Sequence, residues 1–175
     1  MRNKSMFMMF AGLLSVLLLI TSTGCSMLGY SIGSSLPPGI KTVCVPIFTN
    51  ESGEPQLETE ATVACIQEVQ RDGSLKIADI SSADSILKVT ITKLTLSPVR
   101  YDRDNVTTAN EYLLRIDGNM VLTKSKTGEE IVKKSVYGEK AFQTLGDTPS
   151  SKRAAIPDAV KNLAHDIVKS AAEAW

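Results

Sequence analysis

Between Tyr112 and Leu122 the chain changes polarity at nearly every step. Tyr112, Leu114, Ile116, Met120 and Leu122 fall in one phase; Leu113, Arg115, Asp117, Asn119 and Val121 fall in the other. Side chains on a β-strand point to opposite faces in turn, so this run fits a strand with one buried and one mostly polar face. Such a strand needs neighbours for its backbone donors and acceptors. The flanking segments supply them. Residues 85–103 read as a long strand in which Leu87, Val89 and Ile91 share one phase and Leu94 and Leu96 the other. One extra residue reverses the phase, which places a β-bulge near Thr92 and Lys93; two strands with a sharp bend fit as well. Asp102, Asp104 and Asn105 mark the hairpin tip, Thr127 and Gly128 the next turn, and residues 131–144 return. Three strands in succession predict an antiparallel meander.

Two amphipathic helices are predicted around it. Residues 55–71 carry Leu57, Ala61, Ala64, Cys65 and Val69 on one face, with Glu54, Glu58 and Glu60 at the start and Arg71 at the end. Asp72 and Gly73 stop this helix, and residues 75–78 read as a short extension. Residues 150–174 carry Ile156, Val160, Leu163, Ile167, Ala171 and Ala174, after Thr148 as N-cap and Pro149 in the first turn. Pro157 predicts a kink or a later start. Residues 40–48 read as a further strand, with Pro46 pointing to an edge or a bulge, followed by a turn over 49–55. Strand, helix, three strands, helix predicts a two-layer α+β sandwich. Its four-stranded sheet is mixed but mostly antiparallel, and both helices lie on one face.

The first residues have another character. Arg2 and Lys4 precede an almost wholly apolar run over 6–20, and Ile20-Thr21-Ser22-Thr23-Gly24-Cys25 closes it. Positive head, apolar core and small residues are the order of a cleaved secretory signal. The run is shorter than the ~20 residues of a spanning helix and lacks a charged stop. Thr23, Gly24 and Cys25 resemble a bacterial lipobox, in which the cysteine is lipidated and becomes the first residue; Ser22 departs from the usual leucine-like residue. The alternatives are an ordinary secreted protein cut nearby and a membrane anchor. The expected organisation is a signal peptide over 1–24, a lipidated tether over 25–38 and one domain over 39–175. Glycine, serine and Pro37-Pro38 suit the tether.

Removing 24 of the 175 residues takes away two of 19 basic residues and none of the 19 acidic ones, leaving a net charge of −2. That is no nucleic-acid footprint. Cys44 and Cys65 remain: the compartment permits a disulfide, but two buried thiols are the favoured reading, since free cysteine packs as a small apolar residue. His165, the one histidine, neighbours Asp166 on the last helix. No nucleophile motif, metal-ligand spacing or glycine-rich phosphate loop is present, so no enzyme, cofactor or metal is expected. Basic residues do gather in the strands. Arg100 and Arg103 flank Tyr101, Arg115 follows, then Lys133, Lys134 and Lys140. On adjacent strands they form either a local anion patch or a solvated face with scattered charge.

Gly29-Tyr30, Leu36-Pro37-Pro38-Gly39-Ile40-Lys41-Thr42-Val43, Val45-Pro46-Ile47-Phe48-Thr49-Asn50, Pro55-Gln56-Leu57-Glu58 and Asn110-Glu111-Tyr112 resemble the lipopolysaccharide-assembly lipoprotein family, LptE. Ser26-Met27-Leu28 depart from it by separating the cysteine from the Gly-Tyr pair. The resemblance implies a lipid-anchored, periplasm-facing protein of the outer membrane. It would plug a large β-barrel translocon (an LptD-like partner), assist its assembly, and help pass lipopolysaccharide to the cell surface. It implies lipidation of Cys25, and contacts to glycolipid phosphates from Arg103, with Arg100 and Lys134 as looser matches. The alternative is a stand-alone periplasm-facing lipoprotein that binds a phosphorylated lipid or another anionic ligand.

Overall fold

A computed structural model describes residues 39–101, 109–144 and 147–173. The signal, the tether, Cys25 and Arg103 lie outside the described residues. In chain order the elements are β1 (Thr42–Cys44), β2 (Thr49–Asn50), α1 (Leu57–Asp72), β3 (Lys76–Ile77), β4 (Ser85–Tyr101), β5 (Ala109–Lys124), β6 (Glu130–Gln143) and α2 (Thr148–Ala172). Among the described residues the sheet has six strands in the order β3-β1-β4-β5-β6, with β2 also on β4. The β4-β5-β6 meander is antiparallel; β1, β2 and β3 join in parallel. The fold is therefore α+β with a mixed sheet, as expected.

The strand count exceeds the expected four for local reasons. Pro46 breaks the 40–48 segment, and the chain leaves the sheet at Val45 and rejoins it at Thr49. A proline has no N–H for a ladder, so the predicted strand shrinks to Thr42–Cys44. Thr49 and Asn50, expected in a turn, pair with Thr90 and Ile91 instead. The 75–78 extension holds β3, whose partner Thr42 lies far off in sequence.

The bulge lies at the predicted place. Ile91 pairs with Gly118 and Lys93 with Asp117, so Thr92 is the extra residue. The shift keeps Leu94 and Leu96 on the side of Leu87, Val89 and Ile91, against the core.

Both helices pack on that side. α1 buries Leu57, Ala61, Cys65 and Val69. Gly73 at φ 75° ends it, donating its N–H to Val69 O; glycine alone adopts this left-handed backbone without strain. α2 runs unbroken through Pro157 from an N-cap at Asp147, whose carboxylate accepts from Ser150 N; Thr148 is the first helical residue rather than the cap. Its buried Ala159, Leu163 and Ile167 rest on β5 and β6. The approach is closest at Gly138 of β6, where a Cβ would overlap Ala159 O and Leu163 N. Among the described residues no helix is long and apolar enough to cross a membrane.

The domain's first strand is pinned at its start. Asp84 accepts from Lys41 N at 3.1 Å, Thr42 N at 3.1 Å and Thr42 Oγ1 at 2.9 Å, and its own N–H donates to Thr42 Oγ1 at 2.8 Å. The Lys41 and Thr42 donors hold the Asp84 carboxyl below its usual range.

Candidate functional site

With both helices on one side, the other side of β4, β5 and β6 is left uncovered by any described element. Cross-strand register orders its residues in rows. Lys88, Val121 and Lys133 form one row, Thr90, Asn119 and Ser135 the next, then Lys93, Asp117 and Tyr137, then Thr95, Arg115 and Glu139. Ser135 Oγ donates to Asn119 Oδ1 at 2.9 Å. At the centre, Arg115 Nε donates to Asp117 Oδ1 at 2.7 Å and Nη1 to Glu139 Oε1 at 2.5 Å. The guanidinium also lies over the Tyr137 ring, 4.2 Å from its centroid. Hydrogen bonds to Asp117 and Glu139 push the arginine pKa higher still, so the group is a fixed cation.

The charges divide unevenly. Arg115 bridges Asp117 and Glu139, a group of net charge −1, and Arg100 reaches Glu111 at 3.5 Å. Lys88, Lys93 and Lys133 are exposed and have no ion pair among the described residues. Glu130, at the base of β6, is the remaining acidic residue on this side. The face is thus largely polar, with five basic residues against four acidic ones, and its three lysines are the cations left without an ion pair among the described residues.

The basic residues expected to gather do not form one patch. Arg100 sits at the far end of β4, with a side chain 68% exposed. Its row continues through Glu111 to Gln143, and Lys134 lies nine residues before Gln143, about 30 Å along the strand. Lys134 also shares its row with buried Met120, on the helix side of the sheet. Lys140 is on that side too, bound to Asp158 of α2 at 2.8 Å. The lysines Lys88 and Lys93 were missed by sequence reasoning. Lys88 falls opposite the phase of buried Leu87 and Val89, whereas Lys93 shares their phase and is turned to the open side by the bulge at Thr92.

Elsewhere the titratable groups tie elements together. His165 Nδ1 lies 2.8 Å from Glu68 Oε1 across the two helices, and Arg71 Nη2 lies 2.6 Å from the same oxygen. Burial pushes the Glu68 carboxyl up, but hydrogen bonds from His165 and Arg71 outweigh it and leave the pKa lowered. Cys44 and Cys65 are free thiols. Burial, with a smaller contribution from Glu68, pushes Cys65 up to about 12, which makes it a packing residue. Among the described residues no three His, Cys, Asp or Glu side chains converge as a metal site.

On this evidence the chain is a two-layer α+β domain that leaves one largely polar sheet face uncovered among the described residues. A lipopolysaccharide-assembly family model, LptE, matches residues 40–170, and the chain belongs to that family. No curated protein matches it significantly. Several solved structures share the fold. A DUF330 protein from Xanthomonas campestris is 13% identical, with a TM-score of 0.58, covering 80% of this chain and 88% of its own. A hypothetical protein from Chlamydia trachomatis is 9% identical, with a TM-score of 0.52, covering 74% and 94%. An uncharacterized lipoprotein B from Nitrosomonas europaea is 13% identical, with a TM-score of 0.50, covering 80% and 83%. At these identities the likeness is one of fold.

Proposed function

We infer that this protein is a non-catalytic lipoprotein of the outer membrane that docks inside a large β-barrel translocon. There it assists the barrel's assembly and helps deliver lipopolysaccharide to the cell surface. Membership of the LptE family over nearly the whole described domain carries this reading. The physical design supports it. A plug must exist in water before it meets its barrel, so its outer surface must be polar, and it must offer hydrogen bonds to a polar lumen. The uncovered sheet face has that chemistry. Lipid at Cys25 would hold the domain at the periplasmic side of the membrane, several acyl chains giving a stable anchor where one would not. Arg103 and Arg100, near the β4–β5 tip, are the positions assigned to the glycolipid phosphates; Lys134, far along the sheet, would meet a different group.

Detergent extraction of the native membrane and affinity capture of the full chain test the reading. Co-purification of a large outer-membrane barrel protein is the expected result, with a diacylglyceryl modification on Cys25 by mass spectrometry. Recovery of the chain only as a free, unmodified monomer would refute it. His165→Ala retaining full cellular function is also expected, because the imidazole joins helices rather than acting on a substrate.

A further inference from the structure

We propose that the uncovered face of β4, β5 and β6 is the docking surface, and that it meets a carboxylate-bearing face of a partner protein through Lys88, Lys93 and Lys133. The argument is one of charge complementarity. Five basic side chains, Lys88, Lys93, Arg100, Arg115 and Lys133, occupy this side of the three strands. The two arginines are already bound: Arg115 to Asp117 and Glu139, and Arg100 to Glu111. The lysines have no such partner among the described residues: Asp117, in the row of Lys93, is held by Arg115, and Glu130 lies at the base of the sheet. Lys88 and Lys133 stand in one row, two strand spacings or about 10 Å apart, with Val121 between them. This spacing suits two separate carboxylates better than one anion held by both.

The same observations choose among occupants. A second copy laid face to face would set lysine against lysine, which is repulsive. A lipid surface favours apolar side chains that insert beside the cations. On this face the rows offer Thr90, Thr95, Asn119 and Ser135, the larger apolar residues Ile86, Leu113 and Val121 are half-buried rather than projecting, and the exposed Tyr137 ring is covered by Arg115. The central Arg115 network is fixed before any partner arrives, so little side-chain order is lost there on docking. A hydrogen-bonding surface whose three unpaired cations are lysines therefore fits a protein wall that brings carboxylates to them.

The inference rests on the docking reading above, and the two fail separately. Intact cells making the full chain are treated with a water-soluble carbodiimide, and cross-linked peptides are identified by mass spectrometry. The reagent joins a lysine amine to a protein carboxylate and forms no such link to a lipid phosphate. The expected product joins Lys88, Lys93 or Lys133 to an Asp or Glu of another protein. Lys88→Glu/Lys93→Glu/Lys133→Glu should then lower recovery of that protein at least tenfold, while Lys161→Glu/Lys169→Glu on α2 leaves it unchanged. The triple glutamine variant, which adds no repulsion, should give a smaller loss in the same direction and an unaltered circular dichroism melt. Cross-links only from other lysines, no intermolecular link, or undiminished recovery overturns the proposal. A partner that is not a barrel, linked at these lysines, keeps the surface and sinks the barrel reading. A co-purified barrel linked only through α2 does the reverse.

Discussion

Three residues bear stresses that substitution should expose. Gly138 permits α2 to lie directly on β6, and any side chain there meets backbone atoms of Ala159 and Leu163 rather than yielding side chains. Gly138→Ala should lower stability by about 3 kcal/mol, read from the urea midpoint at constant slope. Gln56 enters α1 with φ 64°, in the left-handed region, with no side-chain cap hydrogen bond. Gln56→Gly should raise stability by about 0.5–1 kcal/mol in the same assay, relief of backbone strain exceeding the entropy cost of glycine. Glu68 is held ionised between His165 and Arg71, so its folded pKa is lowered. A lowered carboxyl pKa adds stability that is present above the unfolded value and is lost as pH falls through the folded one. Glu68→Gln should therefore flatten the fall of stability with acid across about pH 5 to 3. An equal slope in wild type and variant would show that the bridge does nothing for the helix pair.

At the scale of elements, the two long edges of the sheet are treated differently. β6 is closed by α2: Asp166 accepts the Tyr137 N–H at 3.0 Å, and Asn162 Nδ2 donates to Glu139 O at 2.7 Å. Such capping removes a template for pairing with another chain. Asn162→Ala/Asp166→Ala should speed amide exchange at Tyr137 and give concentration-dependent association in sedimentation. On the other edge β2 reaches only Ile91, and Pro98 stands in the stretch beyond it. Proline there removes a donor without harming a ladder.

The elements that sequence reasoning reached are those with a local cause. Alternation in β5 marked Leu114, Ile116, Met120 and Leu122 as buried, and the reversal after Ile91 marked the bulge at Thr92. Pro46 announced a fault in the first strand, though not that Thr49 and Asn50 would pair beyond it. β3 carries no signal, since two residues show no period and their partner lies over thirty positions away. The face at the candidate site was half legible. Arg115 was placed on the polar side, but Lys133, Lys134 and Lys140 were given no face; Lys133 shares that side while Lys134 and Lys140 belong to the helix side, and separating them required the register of β6 against β5.

For the whole molecule, the topology sets two poles. The described chain begins at Gly39 and leads into β1 beside the start of β4, at the end where Lys124 meets Glu129. Arg100 and Tyr101 lie at the opposite end, about 50 Å away along β4. The thirteen residues between Cys25 and Gly39 can span at most about 45 Å. A domain hung from lipid at Cys25 must therefore reach its partner within that length. Deletion of residues 28–35 leaves about 17 Å of reach. It should abolish barrel co-purification while the domain melts as before. Cys25→Ser should remove the diacylglyceryl mass and leave residues 1–24 uncleaved, read by mass spectrometry, with the same unchanged melt.

The carboxylate of Asp84 fastens Lys41 and Thr42, and β1 lies parallel to both β3 and β4. A tug on the leading chain, directed along β1, is thus met in shear. The rungs on both sides of the strand and the Asp84 knot must yield together rather than unzip in turn, so the cord is cleated to the hull at the point where it first takes strain.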